Sequence, residues 1–182
     1  LVGCSSTVTV STPLRVFTST GTISEAKPSP VAAARARIRV FRVAFGHTAP
    51  DQRMSMNELQ GLLRDMAEGS RLQLQLDAQG DLPRTEARMI LLAFMCLETA
   101  MPWGGSLLIC RGARGWRLVA ESSRVKSDPA LWAWLDRAAA APRALTEPAP
   151  SEVQFALLAA FARQANRPLA WELDETGGEI SF

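Results

Sequence analysis

Residues 31–47, VAAARARIRVFRVAFGH, constrain this chain more than any other stretch. Val31, Ala34, Ile38, Phe41 and Phe45 recur at intervals of 3, 4, 3 and 4. An α-helix puts residues so spaced on one stripe, and a stripe kept over two heptads is a seam for lengthwise packing on another helix. On this register Arg35 and Arg42 take position e, Arg37 takes g and Arg39 takes b, so the arginines flank the seam without interrupting it. Gly46 stops the helix. The chain before it offers no helical partner, and the expectation is that a second copy supplies one. Residues 1–50 are therefore read as an N-terminal segment plus a dimerisation helix over 31–46, and residues 51–182 as a separate α/β domain.

Charge follows the same division. Residues 1–50 carry six Lys/Arg against Glu25 alone, a net +5, whereas the whole chain carries only +2. This basic flank suits an acidic partner or a solvated helix surface. No basic run is interleaved with aromatic residues, so nucleic acid is not expected. No apolar run approaches the ~20 residues of a membrane span, so no membrane is expected either, and the location read is cytoplasmic. Cys4, Cys96 and Cys110 are scattered and lack metal spacing; Cys96 and Cys110 sit in apolar segments and read as core residues of a reducing compartment. The opening LVGC has the shape of a lipoprotein cleavage box, but that box has meaning only behind a charged and apolar leader, and the expectation is coincidence.

Residues 1–30 are rich in Ser, Thr and Val, broken by Pro13, Gly21, Pro28 and Pro30, which favours strand or irregular chain over helix. From residue 51 the elements are conventional. Ser55 and Glu58 form a capping box ahead of the apolar face of Met56, Leu59, Leu62, Leu63 and Met66. Leu72, Leu74 and Leu76 alternate with polar residues, the pattern of a half-buried strand. Pro83 opens a central helix, apolar nearly all round, that ends near Met101. Strands at 106–110 and 116–121 flank an Arg111–Gly115 hairpin. Asp128-Pro129 starts an Ala/Trp-rich helix, 142–150 is a linker, and Ser151 with Gln154 caps a helix running to Asn166. Strands at 169–173 and 179–182 complete an α+β sandwich, a mixed sheet with helices on one face.

The inventory of chemical groups is sparse. There is no phosphate-binding glycine loop, no GxSxG and no zinc-ligand spacing. His47, the single histidine, reads as an exposed residue just past a helix end. Arg111 and Arg114 read as solubilising hairpin residues, the five tryptophans as core and edge packing, and Asp174 and Glu175 as solvated turn carboxylates.

ARARIRVFRVAFG at residues 34–46 (with the helix MSMNELQGLLRDMAE, the strand RLQLQLD and the segment ARMILLAFMCLETAMPWGGSLLI) resembles the ChpT-type histidine phosphotransferases of alphaproteobacterial phosphorelays. The likeness spans about residues 31–182. It implies a homodimer whose paired helices form a four-helix bundle, followed by a domain resembling the ATP-binding domain of sensor histidine kinases that binds no nucleotide. It implies phosphoryl transfer between response-regulator receiver domains, fed by an upstream hybrid histidine kinase. Arg35, Arg39 and Arg42 would then meet the acidic pocket of a receiver. No cofactor is implied. The kinase-type asparagines are missing from the central helix, since the chain has only Asn57 and Asn166, and the place of the glycine loop reads ESSRVKSDP.

The resemblance breaks at the phosphoacceptor. Aligning Thr12, Pro13 and Leu14 with the family's SP-Leu feature puts Val8 and Thr9 where His and Asp belong, so no catalytic residue can be assigned. Either the chain has lost its acceptor, or residues 4–30 are a frame-shifted reading of an ordinary first helix; the abrupt change near residue 30 favours the second. The function read from the sequence is therefore phosphotransfer by descent, with a non-catalytic adaptor of receivers or kinases as the alternative.

Overall fold

The computed structural model describes residues 30–47, 49, 51–138 and 149–182. The Ser/Thr/Val segment with Val8 and Thr9, and most of the 142–150 linker, lie outside these residues. Five helices are described: α1 (Pro30–Ala44), α2 (Met56–Gly69), α3 (Arg84–Ala100), α4 (Pro129–Trp132) and α5 (Val153–Gln164). The strands are β1 (Arg53–Met54), β2 (Leu72–Asp77), β3 (Leu82–Pro83), β4 (Gly105–Gly112), β5 (Gly115–Glu121), β6 (Ala170–Leu173) and β7 (Gly177–Ser181).

The main sheet has the order β2-β4-β5-β7-β6, with β2 parallel to β4 and every other pair antiparallel. The expected mixed α+β sandwich is the observed fold. Strand alternation sets which face is covered. Leu74 pairs with Leu107, Leu107 with Ala120, Ile109 with Leu118, and Leu118 with Ile180, so one face is apolar across four strands. The other face carries Gln73, Gln75, Arg117 and Glu179, the last two joined at 2.5 Å.

Helix α3 is central: it packs on strands β5 and β7 and touches α1 and α5, while α2 lies against β2. Thirteen of its seventeen residues are buried, from Glu86 through Leu97 and again at Ala100, as an all-round apolar pattern requires. Ser55 caps α2 by accepting from the Glu58 N–H at 3.2 Å. Trp116 and Trp132 are fully buried, and Trp132 lies edge-on to Phe155 with 5.4 Å between ring centroids. Trp103 is exposed beneath Arg124.

Three local expectations are corrected. The helix after Asp128-Pro129 lasts one turn and gives way to a 3₁₀ turn at Leu135–Ala138, because Trp134 N–H bonds Leu131 three residues back rather than four. Ser151 and Gln154 do not cap α5: Ser151 lies in a 3₁₀ turn at Pro150–Glu152, and Gln154 is buried with its amide donating to Thr99 Oγ1 at 3.1 Å. A two-stranded ladder, Met54 opposite Leu82, was not foreseen and ties the entry of α2 to the entry of α3.

Among the described residues no helix is long and apolar enough to cross a membrane.

Candidate functional site

Helix α1 has two apolar faces, and the structure buries the smaller one. Ala36, Val40, Val43 and Ala44 are buried where α1 packs on α2 and α3, the last three in one core with Leu59, Leu62 and Leu63. The sequence reading considered only the seam and gave this second face no partner. Its partner is the pair α2 and α3, and small side chains on that face let the helix axes approach closely.

The predicted seam lies roughly opposite, since steps of about 100° per residue put positions 31, 34, 38, 41 and 45 half a turn from 36, 40 and 43. Val31 is 63% exposed, Ile38 57%, Phe41 42% and Phe45 40%, and Ala34 is exposed beside them. Phe41 and Phe45 stack edge to face, 5.6 Å between centroids. The apolar row continues onto α5, because Val153 lines the same cleft of about 490 Å³ as the two phenylalanines. Solvated singly, such residues would be ordinary; a continuous row along one helix is a patch.

The same helical arithmetic sorts the arginines. Arg35, Arg39 and Arg42 fall on one flank of the row and Arg37 on the other. All four are exposed. Arg39 is joined to Asp65 of α2 at 2.5 Å. Arg37 lies over the cleft that also holds Glu98. Burial pushes the Glu98 carboxyl above the usual carboxylate range, and Arg37 pulls it partly back.

The C-terminal end of α1 is held by Arg88, which the sequence reading did not single out. Arg88 comes from α3, is 8% exposed, and donates through Nε to Val43 O at 3.4 Å and through a terminal nitrogen to Gly46 O. Its guanidinium sits 4.5 Å from the centre of the Phe161 ring on α5. The carbonyls at a helix C-terminus carry partial negative charge, so one buried cation binds α1, α3 and α5 together. Burial and then neighbouring Arg84 lower the Arg88 pKa. Gly46 ends the helix as expected: a Cβ there would lie 2.1 Å from Arg42 O. The signal for Arg88 was present, an arginine at the edge of an otherwise apolar helical run, as Glu98 was at the other end.

The residues of the central helix do not fit a kinase-type nucleotide site. Helix α3 carries no asparagine; Asn57 lies on α2 and Asn166 follows α5 in the left-handed region, at φ 51°. Asp128, in the segment where a glycine loop would be expected, caps α4 by accepting from Leu131 N–H at 3.2 Å. His47 is exposed just beyond α1, at the end remote from Val31. Arg111 is half exposed and lies 3.6 Å from Glu86, which also accepts from Trp116 Nε1 at 2.8 Å and from Arg167. Asp174 holds its own turn, accepting from Thr176 and Gly177, and these bonds lower its pKa.

Comparison with known proteins adds an independent line. The family model for the histidine phosphotransferase C-terminal domain matches residues 56–177, from the start of α2 into β7. A solved bacterial phosphotransferase superposes with a TM-score of 0.65 at 22% identity, over 81% of this chain and 72% of that one. The histidine kinase domain of a blue-light activated histidine kinase from Erythrobacter litoralis superposes at 0.51 with 11% identity, over 81% of this chain and 76% of that one. At such identities the likenesses establish the fold. No curated protein matches the chain.

Proposed function

We propose, from the premise that this chain belongs to the histidine phosphotransferase C-terminal domain family, that it works in a two-component phosphorelay. In this reading it is a homodimer joined along Val31, Ala34, Ile38, Phe41 and Phe45, and it docks receiver domains through Arg35, Arg39 and Arg42. A hybrid histidine kinase acts upstream and the setting is cytoplasmic. The observation that carries the proposal is the exposed row on α1. Four large apolar side chains stay in solvent although the same helix is anchored on its opposite face. A second copy packed in antiparallel or parallel register would remove them from water, and the flanking guanidinium groups would remain free to meet carboxylates.

The family's chemistry is attack of an imidazole nitrogen on the phosphorus of a phospho-aspartate, breaking its P–O bond and leaving phosphohistidine and a free carboxylate. That step needs an imidazole presented from a bundle helix, in line with the receiver's phosphate. Val8 and Thr9 stand where the acceptor pair belongs; valine has no nucleophile, and a threonine hydroxyl is a weak one near neutral pH. His47 follows the end of α1 rather than projecting from the exposed row. These residues favour the second reading, an adaptor that binds receivers without accepting phosphate, for the chain as it stands.

The dimer is tested by sedimentation of the parent and of an Ile38→Glu, Phe41→Glu double variant. The expected result is a dimer that dissociates in the variant while its thermal unfolding stays close to that of a monomer of the same fold. A parent that sediments as a monomer, or a variant that remains dimeric, would reject the row as the interface.

A further inference from the structure

We infer that the groove between α1 and α2 is a binding site for a small oligophosphate anion, a function beyond the phosphorelay role proposed above. The groove has a volume of about 630 Å³, within the usual range of ligand sites. Four arginines from three helices line it: Arg39 and Arg42 from α1, Arg64 from α2 and Arg84 from α3, with His47 beside them. A lining drawn from three elements is not the accident of one basic helix face.

Three observations make the groove a deficit of negative charge. Among the described residues only Arg39 of the four has an ion-pair partner, Asp65. Two carboxylates, Glu58 and Asp65, also line the groove, so its four arginines outnumber them by two. Arg84 is the first residue of α3, where the partial positive charge of the helix end disfavours a cation, and α3 has no side-chain N-cap bond. Arg84 also presses on the buried Arg88, lowering its pKa after burial has done so. An anion seated there would give Arg42, Arg64 and Arg84 a counter-charge and ease the repulsion between Arg84 and Arg88, and planar guanidinium forks suit phosphoryl oxygens bidentately.

The wall of the groove includes a glycine. Gly61 lines it in the middle of α2, and a Cβ there would meet nothing within 4 Å. Glycine in a helix interior is unfavourable relative to alanine, and no packing contact requires it here, so the groove wall stays open at this point.

The test uses inorganic triphosphate and pyrophosphate as probes, titrated calorimetrically into the full chain at low ionic strength. Saturable binding is expected, weakened at least tenfold by Arg64→Ala and by Arg84→Gln and abolished by Gly61→Glu, which places a carboxylate among the guanidinium groups. Arg37→Ala, on the other flank of α1, should leave affinity unchanged, and ATP should bind no more tightly than triphosphate. If Gly61→Glu does not fold, as judged by circular dichroism, the two arginine variants decide. No saturable binding, or equal weakening by Arg37→Ala, overturns the inference. Receiver docking that depends on Arg64 while triphosphate fails to bind would assign the groove to an acidic protein surface, and would overturn it too without touching the proposed function.

Discussion

Replacing Arg88 by Met keeps an apolar stem over Phe161 but removes every donor to the end of α1. The magnitude follows from its contacts. Hydrogen bonds to a charged group contribute roughly 1.5–3 kcal/mol each, and the 3.4 Å bond to Val43 O belongs at the bottom of that range or below it. The guanidinium over the Phe161 ring adds about 0.5–1 kcal/mol. Against this, the variant no longer buries a cation that its own neighbours disfavour, as the lowered pKa records. The net expectation is a loss of about 2 kcal/mol, or roughly 4–8 °C in Tm for a chain of this size. The assay is thermal unfolding together with amide exchange along residues 34–45. Exchange should accelerate in α1 first, because Arg88 fastens that helix to the rest. An unchanged Tm, or uniform exchange with α1 still protected, would refute the account of Arg88 as its anchor.

Two further outcomes are expected. Gly61→Ala should stabilise the fold by about 0.5–1 kcal/mol, since the methyl group meets nothing and helix propensity improves; a chemical-denaturation midpoint that falls instead would contradict this. Glu98→Gln should raise stability near neutral pH. The folded chain holds the Glu98 proton more tightly than the unfolded chain, so stability falls as pH rises from the unfolded pKa through the higher folded one, and the amide escapes that loss. Melting curves from acid to neutral pH should converge for parent and variant at the acid end and separate at the neutral end.

How far the sequence carried depended on whether a feature was local. Leu72, Leu74 and Leu76, the unbroken apolar run of α3 and the two strands around Ala113 and Arg114 are legible because period and turn chemistry lie within one segment. The Met54–Leu82 ladder is a two-residue pairing across a whole helix and strand, with no periodicity to betray it. In α1 the exposed seam was legible from its periodicity, whereas the face that packs within the chain was not. Phe41 and Ile38 outweigh Ala36 and Val43 on any hydrophobic scale, yet close packing against α2 and α3 selected the smaller set. The candidate site was half visible for the same reason. The row and its arginine flank are helical arithmetic, whereas Arg88 reaching the carbonyl of Gly46 depends on how α3 crosses α1.

The central claim, that this chain docks receiver domains in a phosphorelay but accepts no phosphate as it stands, is tested by one incubation. A panel of receiver domains carrying radiolabelled phospho-aspartate is mixed with the chain, and both complex formation and the location of the label are followed. The account predicts a complex with at least one receiver, weakened when Arg35, Arg39 and Arg42 are all replaced by Ala, with the label remaining on the receiver. An acid-labile, alkali-stable label on this chain that disappears in His47→Ala, or the absence of any complex, would contradict it.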